Sequence, residues 1–244
     1  MPIPAKAFQR WLHGIAPNTS TSDVCRESGI KRTTLAQQLV RGKVAETTVV
    51  SISRAYNVNP VSALASFEAY APLSDTRPPS RGELVSQIST PDLLRAVLAR
   101  SAADPRGASA SDGPALDPVP HATSVKNWVE AIDDGELRHR VSAATGIAPQ
   151  NYSAQLTANR LAPELAVATS LAAGVGPVSG LVATGLVTEA EAGWPAGARH
   201  AALDSLTDGE LTALAGDRLQ VLGRALRRLE HDQAKTEMIW ENLG

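Results

Sequence analysis

The sequence repeats itself at a constant shift of 117 residues. Of the 55 positions from 11 to 65, 16 are identical to the residue 117 positions later, and the alignment needs no gap. The identical pairs include Trp11 with Trp128 and Gly29 with Gly146. Self-similarity of this kind marks one structural unit used twice. The repeat therefore predicts a tandem duplication, and a fold for one copy must serve for both.

Residues 21–45 are the most informative part of the first copy. Gly29 separates two short segments with helical periodicity and is expected to adopt positive φ in a tight turn. Cys25, four residues earlier, is small enough for the two helices to approach each other. The apolar face comprises Val24, Ile30, Leu35 and Leu39, and the opposite face of the second helix carries basic, hydroxyl and amide side chains. This outward face is chemically suited to DNA.

Helical patterns continue on both sides of this stretch. A first helix is expected after Pro4, a fourth over residues 46–56, a fifth from Pro60 to about residue 70, and a further one over residues 90–101. Residues 165–188 carry no charge, but Gly174 and Pro177 interrupt them, so we expect two short helices there and not a membrane span. The predicted fold is all-α, with two tandem helix-turn-helix domains of about five helices each and accessory C-terminal helices.

Proline, glycine and small polar residues fill residues 103–123, which predicts a flexible linker between domains at 1–102 and 124–244. The last predicted helix has an apolar stripe of four leucines, at positions 219, 222, 226 and 229. Two interpretations of this stripe stay open. The helix packs on its own domain, or it pairs with a second copy of the chain to form a homodimer.

Composition argues against several classes of protein. The single cysteine, Cys25, excludes an intrachain disulfide and a cysteine-rich zinc site. The five histidines are scattered outside any metal-ligand spacing, and no phosphate-binding glycine loop or nucleophile elbow is present. Residues 1–20 lack the pattern of a secretion leader. We therefore predict a cytoplasmic protein that is not an enzyme and needs no metal or cofactor.

Charge is divided unequally between the copies. Residues 1–103 contain 12 Lys and Arg against 7 Asp and Glu, whereas residues 125–244 contain 10 against 15. Neutralisation of phosphates supplies most of the non-specific affinity of proteins for DNA. The first copy is therefore the better electrostatic partner for a duplex.

Residues 23–64, DVCRESGIKRTTLAQQLVRGKVAETTVVSISRAYNVNPVSAL, resemble the lambda-repressor-like (Cro/CI/XRE) family of helix-turn-helix domains. The resemblance rests on the small residue before the turn glycine, the Arg-Gly-Lys after the second helix, the apolar fourth helix and the Asn-Val-Asn-Pro that opens the fifth. Glu46 departs from the proline that the family commonly has there. The resemblance implies a transcriptional repressor that binds double-stranded DNA, of the kind phages and prophages use for immunity, acting at the nucleoid of a bacterial host.

Arg32 is expected to bind guanine in a bidentate way and Gln37 to bind adenine. The other expected DNA contacts in the first copy are Lys31, Thr33, Thr34, Arg41 and Lys43. In the second copy they are Gln150, Asn151 and Arg160, although this copy has alanine or proline where the first has Lys31, Arg32 and Arg41. Two alternatives therefore remain for the second copy, which either contacts DNA directly or serves partner contacts.

The competing class is a protein-interaction or antitoxin-like module whose helix-turn-helix domains bind proteins. Salt-dependent binding to duplex DNA separates the two classes. If both copies bind DNA on one flexible tether, their unequal outward faces predict an asymmetric, bipartite site and not a palindrome.

Overall fold

The computed structural model describes residues 3–102 and 115–243. It is mostly helical, at 67% helix, with one two-stranded sheet among the described residues, which agrees with the all-α prediction. Contacts divide the chain into two units. Unit 1 comprises Met1–Gln87 and Pro118–Ala198, and unit 2 comprises Ile88–Asp117 and Arg199–Gly244. The predicted boundaries at residues 102 and 124 follow the sequence repeat and stay a prediction.

In unit 1 the first copy begins with a short strand that leads directly into a helix. Its elements are β1 (Ile3–Pro4), α1 (Ala5–Ile15), α2 (Thr21–Ser28), α3 (Arg32–Val40), β2 (Lys43–Val44), α4 (Glu46–Ala55), α5 (Pro60–Ala65), a 3-10 helix (Glu68–Ser74) and α6 (Arg81–Ser86). The predicted fifth helix was too long, because extended backbone at Phe67 separates α5 from the 3-10 helix.

The second copy follows the same order of helices. Its elements are α8 (Ser124–Ile132), α9 (Leu137–Thr145), α10 (Pro149–Thr157), α11 (Pro163–Ala173) and α12 (Ser179–Ala183). The bounds of α10 lie 117 residues after those of α3. The uncharged stretch over residues 165–188 contains most of α11 and all of α12, as expected. No helix in the described part of the chain is both long and apolar enough to span a membrane.

Left-handed backbone recurs at the same spacing of 117 residues. Gly29 and Gly146 end their helices at φ of 70° and 74°, which confirms the expected turn at Gly29. Two further pairs, Gly42 with Asn159 and Asn57 with Gly174, also have positive φ in both members. L side chains other than Asn and Asp rarely adopt this region. The repeat therefore extends from the sequence to the backbone conformation.

The two copies share one hydrophobic core in unit 1. Phe8, Leu35 and Ile52 from the first copy and Trp128 and Tyr152 from the second belong to a single cluster of buried side chains. Helix α6 packs against α8, and the 3-10 helix packs against α11. This shared core differs from the expectation of two loosely tethered domains.

The described end of the predicted linker makes specific contacts within unit 1. The side chain of Asn159 donates to the carbonyl of His121 at 3.3 Å, and the amide of His121 donates to Ser124 Oγ at 2.7 Å. Pro120 lies so close to Gly185 that a Cβ there would be 2.6 Å from its ring. Residues 103–114 of the predicted linker lie outside the described residues.

In unit 2 the accessory helices α7 (Thr90–Ala102) and α14 (Asp208–Leu243) pack against each other. Helix α13 (Ala198–Asp204) precedes α14 in the chain. Leu211 and Ala215 of α14 are buried. The stripe that follows them is 43–57% exposed, at Leu219, Leu222, Leu226 and Leu229. Packing within its own domain therefore does not cover this stripe among the described residues, and the homodimer stays a prediction.

Candidate nucleic-acid interface

Helix α3 is held against the core by one side and presents the other to solvent. Leu35 is fully buried, while Cys25 of the preceding helix is 3% exposed. The Ser20 hydroxyl caps α2 by accepting a hydrogen bond from the amide of Asp23 at 3.2 Å. Buried Leu35 fixes the rotation of this short helix about its axis. The residues on the opposite side of the helix therefore face outward.

All seven residues that the sequence predicts as DNA contacts in the first copy are exposed. We call this set the basic face: Lys31, Arg32, Thr33, Thr34, Gln37, Arg41 and Lys43. The Arg32 guanidinium donates to the hydroxyl of Ser22 on α2. Within residues 3–102 and 115–243, no carboxylate pairs with Lys31, Arg41 or Lys43. Their positive charges are therefore available to a ligand.

The loop that carries Arg41 and Lys43 is fixed by the N-terminal strand. Strand β1 pairs antiparallel with β2, in a register that places Pro4 opposite Lys43. The amide of Ala5 donates to the carbonyl of Gly42 at 3.0 Å. Two backbone attachments thus hold the segment between α3 and α4, and the basic residues on it are displayed from a fixed main chain.

Gln38 supports this loop from the inner side. Its Oε1 accepts hydrogen bonds from the amide of Ala45 at 3.2 Å and from Thr48 Oγ1 at 3.0 Å. The second copy reproduces the first of these bonds, because Gln155 Oε1 accepts from the amide of Ala162 at 3.2 Å. Gln38 therefore ties α3 to the start of α4, and Gln155 ties α10 to the start of α11.

One acidic residue close enough to interact with the basic face, Asp23, forms an ion pair within its own helix. The Ser20 hydroxyl and then the Arg26 guanidinium lower the pKa of Asp23 below its ordinary value. Arg26 lies 2.7 Å from the Asp23 carboxylate. Asp23 is consequently ionised at neutral pH, and its charge is paired with Arg26 and also attracts Arg32 of the basic face.

In the second copy, α10 offers an amide surface in place of a cationic one. Gln150 and Asn151 are exposed in its first turn, and Arg160 is exposed just beyond its end. On the inner side Tyr152 is fully buried, with its hydroxyl 3.0 Å from Thr169 Oγ1, and burial is the main cause of its raised pKa. The three predicted contact residues are therefore displayed, with one positive charge among them.

Sequence reasoning missed two features of the first copy. Val40, the last residue of α3, is 88% exposed beside the basic face. Its position next to Leu39 off the inner stripe was the signal that could have identified it. The strand at Ile3–Pro4 is also new, since two residues are too few to carry a period.

No group of three or more His, Cys, Asp or Glu side chains in the described part of the chain is arranged to hold a metal ion. Comparison with protein-family models, with curated proteins and with solved structures gives no match for this chain.

Proposed function

We propose that this protein is a sequence-specific, double-stranded DNA-binding transcription regulator that contacts DNA through the basic face of α3. One observation carries the proposal. Buried Leu35 anchors the short helix α3, and the cations on this helix and at its two ends pair with no carboxylate in the described chain. Such a surface favours a polyanion, and the groove dimensions of B-DNA admit a helix.

The chemistry of the exposed side chains supports base readout. The Arg32 guanidinium has five N–H donors, so its bond to Ser22 leaves donors for a bidentate contact with guanine O6 and N7. Gln37, five residues further along α3, can bind adenine in the same bidentate way. Val40 adds an apolar surface that suits the methyl group of thymine. Lys31, Arg41 and Lys43 are placed to bind phosphates and fix the register.

The repressor role, of the phage or prophage immunity kind, rests on the resemblance of residues 23–64 to lambda-repressor-like domains. We extend the proposal to the second copy, in which Gln150, Asn151 and Arg160 form a weaker DNA-contacting surface. The left-handed positions shared by the two copies support a common helix-turn-helix architecture.

The test begins with a duplex that the full-length protein selects from a pool of randomised sequences. Affinity for this duplex should fall steeply as the salt concentration rises. In a plot of log affinity against log salt concentration, each neutralised phosphate should contribute about −0.9 to the slope. Arg32→Ala should cost about 1–3 kcal/mol at this duplex and relax the preference at one or two bases. Lys43→Ala should weaken specific and non-specific duplexes alike and reduce the salt slope by about 1.

Arg228→Ala is the matched control, because Arg228 is an exposed arginine of α14 and its removal deletes the same charge. This control should leave both affinity and sequence preference unchanged. An unchanged ratio of specific to non-specific affinity in Arg32→Ala would refute base readout by α3. Binding that does not depend on salt would instead favour the protein-interaction class.

A further inference from the structure

We call α3 and α10 the recognition helices, and the chain segments that follow them come together in unit 1. Glu46 is the first residue of α4, the helix that follows the α3 loop, and its Oε1 accepts a hydrogen bond from the Tyr70 hydroxyl at 2.5 Å. A groove of about 340 Å³ is bordered by Val50 of α4 and by Leu161 and Pro163, which lead from α10 into α11. The segments that follow α3 and α10 in the chain are therefore neighbours in unit 1.

The Tyr70 hydroxyl indicates the same proximity. Burial, and then the carboxylates of Glu46 and Glu164, raise the pKa of this phenol. Glu46 belongs to the first copy and Glu164 to the first turn of α11 in the second copy. The starts of α4 and α11 therefore lie near one buried tyrosine.

Polar contacts also fasten the two copies together. Arg54 at the end of α4 binds Glu191 through Nε at 2.7 Å and through a second nitrogen at 2.8 Å. Asn59 Nδ2 donates to the carbonyl of Glu191 at 2.9 Å. Arg77 donates to the carbonyl of Gly174 at 2.8 Å. Together with the shared core, these bonds oppose any rotation of one copy against the other.

The outward faces of the two recognition helices are chemically different. At equivalent positions, proline replaces Arg32 and alanine replaces both Gln37 and Arg41 in the second copy. One chain therefore offers two unlike binding surfaces in one rigid arrangement. Resting on the proposed function, we infer that unit 1 holds α3 and α10 at one separation, so that a single chain recognises an asymmetric duplex whose two parts have one permitted spacing.

DNA geometry gives this inference a sharp test. Five inserted base pairs turn the second part of the site to the opposite side of the duplex, because one turn takes about 10–10.5 base pairs. Ten inserted base pairs restore the side but add about 34 Å along the axis. A flexible tether of about 20 residues has a root-mean-square span of about 25 Å and can stretch further, so it would recover binding at ten. A rigid pair would not.

The experiment uses the full-length protein and the duplex that it selects from a randomised pool, with both parts mapped by footprinting. Insertions of one, five and ten base pairs are placed between the parts. We expect a loss of about tenfold or more at five insertions and no recovery at ten, which leaves the affinity of the α3 part alone. Recovery at ten, or equal binding at all spacings, would overturn the inference.

The remaining outcomes separate this inference from the proposed function. If deleting the second part of the selected duplex changes nothing, only the basic face binds. The inference and the proposed DNA contact by the second copy then fail, while DNA binding through the basic face stands. A palindromic duplex bound by two chains would overturn the inference in the same way and point to the leucine stripe of α14. If no duplex is selected at all, the proposed function fails with it.

Paired variants test the positioning residues. Arg54→Ala with Arg77→Ala removes two contacts between the copies, whereas Lys126→Ala with Arg140→Ala removes two cations whose partners, Glu130 and Asp134, lie in the second copy itself. Both double variants lose two positive charges. The ratio of affinity for the native duplex to affinity for the duplex with one inserted base pair should fall about threefold or more in the Arg54→Ala, Arg77→Ala variant. It should not change in the Lys126→Ala, Arg140→Ala variant. Equal preferences in the two variants would overturn the assignment of Arg54 and Arg77 as positioning residues.

Discussion

Gly180 offers the most direct test of the shared core. It lies in α12, where a Cβ would be 2.5 Å from the carbonyl oxygen of Ala166 and 2.9 Å from Cη2 of Trp128. Trp128 is fully buried and Ala166 O belongs to the backbone of α11, so neither can move aside easily. The first copy has Ala63 at the equivalent position, and its Trp11 is only partly buried. We therefore expect Gly180→Ala to destabilise unit 1.

The magnitude follows from the overlap. Forcing one methyl group into a packed core typically costs about 1–3 kcal/mol. At about 2–4 °C per kcal/mol for a unit of this size, the melting temperature should fall by about 2–12 °C. Gly14→Ala is the control, because a Cβ there meets nothing within 4 Å and alanine favours a helix by about 0.5–1 kcal/mol. Urea unfolding followed by tryptophan fluorescence and far-UV circular dichroism measures both variants.

The shared core also predicts how far the damage spreads. Amides of α4 in the first copy, such as those of Val49 and Ile52, should lose hydrogen-exchange protection by the same free energy as amides of α11. A Gly180→Ala protein that unfolds at the wild-type urea concentration would refute the packing argument. Loss of protection confined to the second copy would refute cooperative unfolding of unit 1 and restore the expectation of separate domains.

Three further perturbations follow from the same contacts. Gly29→Val and Gly146→Val should each lower the free energy of unfolding by about 1–3 kcal/mol. The cause is the positive φ alone, because an added Cβ at either glycine meets nothing within 4 Å. Denaturant midpoints measure the loss, and midpoints equal to that of the wild type would contradict it. The hydrogen-bonded guanidinium of Arg54 lowers the pKa of Glu191, so Glu191→Gln should destabilise unit 1 at pH 7, with a difference from wild type that shrinks as pH falls below about 4.5. A difference independent of pH would exclude the ion pair as the cause. Leu222→Glu should convert the predicted homodimer to a monomer in sedimentation velocity, and a monomeric wild-type protein would contradict that prediction.

Local features of the fold were predictable because their causes are local. The turn glycines and the exposure of the basic face follow from the need for positive φ and from apolar periodicity. The open space around Gly29, where an added Cβ would meet nothing within 4 Å, was not predictable. Spacing along the chain shows where the backbone must turn, but it does not show how much room surrounds the turn.

The grouping of the helices was not predictable from the repeat. The repeat suggests that each copy keeps its own accessory helices, yet α7 and α14 pair with each other in unit 2. Both begin with the same cap, in which Ser89 Oγ accepts from the amide of Asp92 and Thr207 Oγ1 from that of Glu210, each at 3.2 Å. Each unit therefore contains equivalent parts of both copies. Sequence similarity identifies the equivalent parts, but only long-range packing decides which of them associate.

One junction carries a positive charge in both copies. Gly42 and Asn159 are equivalent, and both tie the end of a recognition helix to the start of the first helix of their copy. Gly42 does so through its carbonyl, which accepts from Ala5, and Asn159 through its side chain, which accepts from the amide of Val125 at 3.0 Å. The next residue in each copy is the retained cation, Lys43 or Arg160. If these two cations bind phosphates as proposed, the fixed main chain at this junction holds both charges in place.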